Sequence, residues 1–202
     1  MSPFLVALLG ILLFPLFVSS WRISLFGLAS QGALMALVAY RFEHGATTLG
    51  DWITLLDLGI ARGVVAPLAL YTVLRARQAP SRNDVIPPNL LSWTFALTLV
   101  FVSFSFSALL VPTPGAQRTL VAIAASAVLL GLLVLATQSD PFSQMIGVLR
   151  IENGIALLEL GGERHEVAPG VRLGLMAVFL LTVACFRWYL VTLEAVPEEP
   201  TP

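Results

Sequence analysis

Residues 141 to 161 read PFSQMIGVLRIENGIALLELG, an apolar stretch long enough to cross a bilayer, yet with Arg150, Glu152 and Asn153 in its middle. If a helix enters the membrane near Phe142, Glu152 lies roughly 15 Å along its axis, at about 1.5 Å per residue. That is near the centre of a hydrocarbon core ~30 Å thick. An ionised carboxylate at that depth costs at least about 2.5–3.5 kcal/mol on insertion scales. Such a residue requires a partner, a water-filled cavity or a proton. Each of these makes it a functional candidate.

The rest of the chain has the same solvent in view. Of 202 residues, 57% are hydrophobic and 11% charged, against about 25% charged in soluble domains. Mean hydropathy is +0.89. The reading is an all-α integral membrane protein. Net charge is −1, so no overall field favours nucleic acid. All 11 basic residues are Arg. Arg stays charged where Lys can be neutralised, so proton carriers must be sought among carboxylates and His. The lone Cys185 excludes an internal disulfide, a Cys-based zinc site or an iron–sulfur cage within the chain.

About seven spans are expected, near 3–19, 23–41, 52–74, 90–111, 119–137, 142–160 and 172–193. Helices are the expected form, because an open chain satisfies its backbone in lipid only that way. Pro and Gly punctuate the short connections. The opening MSPFLVALLGILLFPLFVSS resembles a signal peptide but lacks a basic n-region, and reads as a retained first span. Residues 1–195 form one transmembrane domain, and the acidic, Pro-rich 196–202 form a disordered tail. Arg75, Arg77 and Arg82 make the densest basic cluster next to a span. By the positive-inside rule it is cytoplasmic, with the N-terminus outside and the C-terminus inside.

A duplication is suggested by laying ASQGALMALV of the second span over IENGIALLEL of the sixth. Ser30, Gln31 and Gly32 then oppose Glu152, Asn153 and Gly154. A 3+1+3 arrangement follows: a first triplet in 1–75, a connector in 90–111 and a second triplet in 119–195.

The polar groups inside the spans carry the chemistry. Glu152 is either a carboxyl that exchanges a proton or a neutral or paired residue that locks helices together. Asn153 can donate and accept beside it, and Gly154 admits a neighbouring helix. Glu159 follows one heptad on, on the same face and roughly 26 Å from the cytoplasmic end. It is either a second station or a residue at the outer interface. Arg150 points to another face than Glu152; it pairs with a neighbouring chain or reaches toward the cytoplasm. Gln144 completes the set as a group that orders water. In the third span, Asp57 lies about 8 Å and Arg62 about 15 Å from Trp52. Arg62 is at the depth of Glu152 and is either its counter-ion or, after local helix distortion, the partner of Asp57. His44 and His165 fall in loops without metal-ligand companions. No phosphate loop, nucleophile elbow or Ser/His/Asp set is present, so no catalytic site is expected in this chain.

Gln144, Gly147 and the run Glu152-Asn153-Gly154-Ile155 resemble the helix pattern of the hydrogenase-4 component E family of membrane proteins. LLDLGIARGVVAPLALYTVLR is similar to that family's third span, and the last three spans are similar to the K subunit of respiratory complex I. The resemblance implies a non-redox subunit, without cofactors of its own, in the membrane arm of a complex I-like or group 4 hydrogenase-like assembly in a prokaryotic inner membrane. Its implied partners are antiporter-like membrane subunits and a peripheral redox or enzymatic arm. The membrane Glu of the K-type helix is carried onto Glu152. Two departures stand out. VRLGLMAVFLLTVACF lacks the second acid of the K subunit, and Arg62 stands where a titratable base would be expected. The expected function is a proton or cation translocation axis. A structural subunit bridging antiporter-like partners and a stand-alone carrier of two triplets are the rivals.

Overall fold

The computed structural model describes residues 3–13, 20–42, 45–76, 90–161 and 168–194. Among the described residues the regular structure is helical: α1 Pro3–Leu13, α2 Trp21–Phe42, α3 Leu49–Leu55, a π-helical segment Leu56–Val65, α4 Ala66–Ala76, α5 Leu90–Leu110, α6 Ala116–Thr137, α7 Pro141–Gly161 and α8 Pro169–Glu194. His44, His165, Arg77, Arg82 and the tail 196–202 lie outside the described residues.

Five stretches are long and apolar enough to cross a membrane: Trp21–Arg41, Leu49–Ala76, Leu90–Leu110, Ala116–Thr137 and Pro169–Leu193. The chain is a helical, multi-pass membrane protein. The expected seven is not reached on length and composition. α1 has 11 described residues, about 16 Å of helix, and residues 14–19 of that expected span are not described. α7 has the length, with 21 residues, but it carries Arg150, Glu152 and Glu159. Phe101, Leu109 and Trp188 are 71%, 79% and 70% exposed. In water such side chains would form an association surface; in hydrocarbon they are the ordinary outer face.

α3, the π segment and α4 form one rod. Thr48 caps it: its hydroxyl accepts from the Asp51 amide, and the Asp51 carboxylate accepts from the Thr48 amide. The wide register ends where the Ala66 amide donates to the Ala61 carbonyl, five residues back. Pro67 follows directly and has no amide to give, so the α ladder is interrupted there in either register.

α6 and α7 form a tight hairpin. The Asp140 carboxylate accepts from the amides of Phe142 and Ser143, at 2.9 and 3.1 Å, with Pro141 at the first helical position. Gly147, Gly154 and Gly161 recur every seven residues on the α7 face toward α6. A Cβ at Gly147 would lie 3.3 Å from the Gly131 carbonyl oxygen, and one at Gly154 would lie 3.1 Å from that of Ala124. The missing side chains let the two helix backbones approach closely there.

Two apolar cores result. One gathers Leu5, Leu8 and Leu12 with Met35, Val38, Leu58, Ile123, Ala127, Ala156 and Leu157. The other gathers Leu25, Leu28, Ala61, Leu70, Phe142, Ile146, Leu149, Phe179 and Val183.

Candidate functional site

Between the two cores lies a polar layer, and the core membership of each helix locates it. On α2, Leu28 belongs to one core and Met35 to the other; Gln31 sits between them. On α7, Leu149 belongs to one core and Ala156 and Leu157 to the other; Asn153 sits between them. On the π segment, Leu58 and Ala61 divide in the same way, flanked by Asp57 and Arg62.

Arg62 is the centre of the layer. Its Nε donates to Asp57 Oδ2 at 2.9 Å, and its Nη1 donates to Asn153 Oδ1 at 3.3 Å. The guanidinium carbon lies 4.2 Å from the centroid of the Phe179 ring on α8, a cation–π distance. The side chains of Arg62 and Asp57 are 7% and 16% exposed. The π register makes the pair possible. Five residues along an α-helix leave two side chains about 140° apart, whereas the i to i+5 bonding of the wide turn brings them onto one face.

The placement of Asn153 follows from the glycine seam. Gly154 faces α6, so Asn153 is about 100° around the axis, toward α2 and the π segment. One further step carries Glu152 to the edge of the exposed face that includes Gln144, Ile155 and Glu159. Glu152 is half-buried, and no hydrogen bond or ion pair joins it to a described residue. Of the two readings of Arg62, the pairing with Asp57 after local helix distortion is the one found, with Asn153 as a further partner, and the reading as counter-ion of Glu152 is corrected. Arg150 is corrected as well. It is buried within this chain rather than reaching outward, and its Nη1 donates to the Leu12 carbonyl of α1 at 3.4 Å.

Gln144 and Glu159 stand apart from the layer. The Gln144 amide donates to the Gln138 carbonyl at 3.1 Å, closing the end of the α6–α7 hairpin, and Glu159 is exposed.

Two members of the site were missed in the sequence. Gln31 is 1% exposed and falls on the spacing Ser24, Leu28, Gln31, Met35, Val38, a heptad-like stripe that marks it as inward. Phe179 carried no signal, being one Phe among 12. Three atoms of the layer have no hydrogen-bond partner among the described residues: Gln31 Nε2, Asn153 Nδ2 and Asp57 Oδ1. Among the described residues no three His, Cys, Asp or Glu side chains group as a metal site. Compared with family models, curated proteins and solved structures, the chain matches none.

Proposed function

We propose that this protein is a non-redox membrane subunit of a complex I-like or group 4 hydrogenase-like assembly, with part of a proton or cation translocation axis running through it. The observation that carries the reading is Arg62, a permanent charge, held between Asp57 and Asn153 in the interior of an apolar bundle. A charge in that position is expensive, and a chain with no transport role has little use for it. Glu152, at the edge of the open face of α7, is the station where the axis leaves this chain toward an antiporter-like neighbour. Asp57 and Arg62 set the field along the path, and Asn153 links the two helices that bound it. Arg150 holds the end of α1 against α7.

In this reading α1 and α7 mark two further spans, making seven in a 3+1+3 order. The N-terminus is outside a prokaryotic inner membrane and the C-terminus in the cytoplasm. A peripheral redox or enzymatic arm supplies the driving reaction.

The test is Glu152→Gln in the intact complex, read as proton pumping into inverted membrane vesicles. The expected result is at least a tenfold loss with assembly unchanged. Normal pumping would leave a protein that only bridges its neighbours. Solute uptake by the purified chain alone in liposomes would favour the independent carrier; none is expected.

A further inference from the structure

The three unpaired atoms of the polar layer differ in kind. Gln31 Nε2 and Asn153 Nδ2 can only donate, and Asp57 Oδ1 accepts. Gln31 and Asn153 are each 1% exposed. They occupy equivalent levels on two packed helices, each between a residue of one apolar core and a residue of the other. Leaving buried amide and carboxylate atoms without partners is costly, and the layer lies between the two apolar cores.

The occupant must satisfy both kinds of atom. An anion would serve the amides but face the Asp57 carboxylate. A metal cation would serve Asp57 but face the Arg62 guanidinium and two amide N–H groups. Water alone donates and accepts. Buried waters typically make about three hydrogen bonds to groups otherwise unsatisfied.

We propose that the layer bounded by α2, the π segment and α7 is a bound-water site, with Gln31 Nε2 and Asn153 Nδ2 donating to the water and Asp57 Oδ1 accepting from it. The inference deepens the function proposed above by naming what fills the interior of its path and by adding Gln31 to it as a positioning residue. Water there joins Asp57, already tied to Arg62, to the amides of two other helices. A proton can cross such a site through hydrogen bonds, without any side chain leaving its place.

The first test is a map of the chain in its native membrane assembly, at a resolution that shows ordered water. Density within hydrogen-bond distance of both amide nitrogens is expected. A well-ordered layer in which both amides turn onto protein acceptors, with no density between them, would overturn the site.

The second test uses X-ray radiolysis in ¹⁸O-labelled water. Met35 is fully buried one turn from Gln31, so only internal water delivers label to its sulfur. Labelling of Met35 is expected in the wild-type chain, with at least a fivefold fall in Gln31→Leu and no change at the half-buried Met176. Equal labelling of Met35 in both chains would remove Gln31 from the site.

Stability gives the sign. In a dry layer Gln31→Leu deletes an unsatisfied donor and raises the unfolding midpoint; in a hydrated one it lowers it. The wild-type map and label decide even where the variant does not assemble. Failure here leaves the Glu152→Gln pumping test standing. Ordered water together with normal pumping by Glu152→Gln would mean a hydrated layer that conducts nothing.

Discussion

Two glycine seams hold the bundle, and they teach different things. In the α6–α7 hairpin, Gly131, Gly147, Gly154 and Gly161 meet Ile151, Val134, Val128 and Val121, an apolar joint between neighbours in sequence. In the other seam Gly32 of α2 meets Gly63 of the π segment, where an added Cβ would be 2.5 Å from both the Cα and the amide nitrogen of Gly63. Gly32 and Gly154 are the glycines that align in the suggested duplication, yet they face different kinds of partner. Gly154 packs on the preceding helix, α6, and Gly32 on the following element. Each is preceded by a buried amide, Gln31 or Asn153. What separates the seams is the register of the opposing stretch of backbone. α6 is a regular α-helix with one buried hydroxyl, Ser126, bonded to its own Ala122 carbonyl. The π segment is wound so that an acid and a base five residues apart reach each other. Close backbone contact makes a joint; the wide register turns one of the two joints into a charged centre.

The largest effect should come from breaking that charge pair. Asp57→Leu leaves the Arg62 guanidinium buried beside Asn153 and Phe179 without its carboxylate. The expected loss is about 3–5 kcal/mol of stability, read as a fall in the unfolding midpoint of the detergent-solubilised chain and in its yield. The double variant Asp57→Leu, Arg62→Leu should recover most of that loss, because the stranded charge is gone. Ser126→Ala, in the apolar seam, should change stability by less than about 1 kcal/mol. If Asp57→Leu were as mild as Ser126→Ala, the contrast between the seams would fail.

Next come the glycines themselves. At Gly32 an added methyl meets backbone atoms of Gly63 and the Arg62 carbonyl carbon, the latter at 2.9 Å. No rotamer relieves that, so the helices must separate. At Gly154 the nearest atom is Val128 Cγ2 at 2.8 Å, the end of a side chain. Overpacking costs about 1–3 kcal/mol. Gly32→Ala should lie at the upper end of that range and Gly154→Ala at the lower, measured as midpoint shifts of the two variants. Gly32→Ala should also slow pumping in the assembled complex, since it moves Arg62, while Gly154→Ala should not.

Much of this was legible before the structure. Helical spans read off as continuous apolar runs, because in lipid the backbone leaves one solution for an open chain. Asp57, Arg62 and Asn153 stood out because charge and amide are rare at that depth. The Asp57–Arg62 pairing stood as one of two readings, conditional on a local helix distortion; what could not be read was which of the two holds. A spacing of five argues against contact on an α-helix, and nothing in LLDLGIARGVVAP announces a π register; Pro67 marks an interruption without saying how the turns before it are wound. Depth placed Arg62 beside Glu152, but depth says nothing of angle, and the glycine seam rotates Glu152 away. Arg150 was misplaced for a related reason. Its acceptor is a backbone carbonyl at the end of α1, and a carbonyl has no sequence signature.

The smallest effect sharpens the boundary of the charged centre. Gln144 stood among the groups that order water because it shares α7 with Asn153. Their spacing of nine residues is about 13 Å of helix, and the Gln144 amide is spent on the Gln138 carbonyl at the hairpin end. That bond closes the apolar seam, as the Gln117 amide does at the other end by donating to the Gly161 carbonyl at 2.9 Å. An exposed side chain making one such bond contributes about 0.5–1 kcal/mol at most. Gln144→Ala should therefore lower the unfolding midpoint by a degree or so and leave pumping at the wild-type rate. A pumping defect in Gln144→Ala out of proportion to that shift would mean that the path extends along α7 past the hairpin end. The division between an apolar joint and a charged one would then have to be drawn along α7 itself.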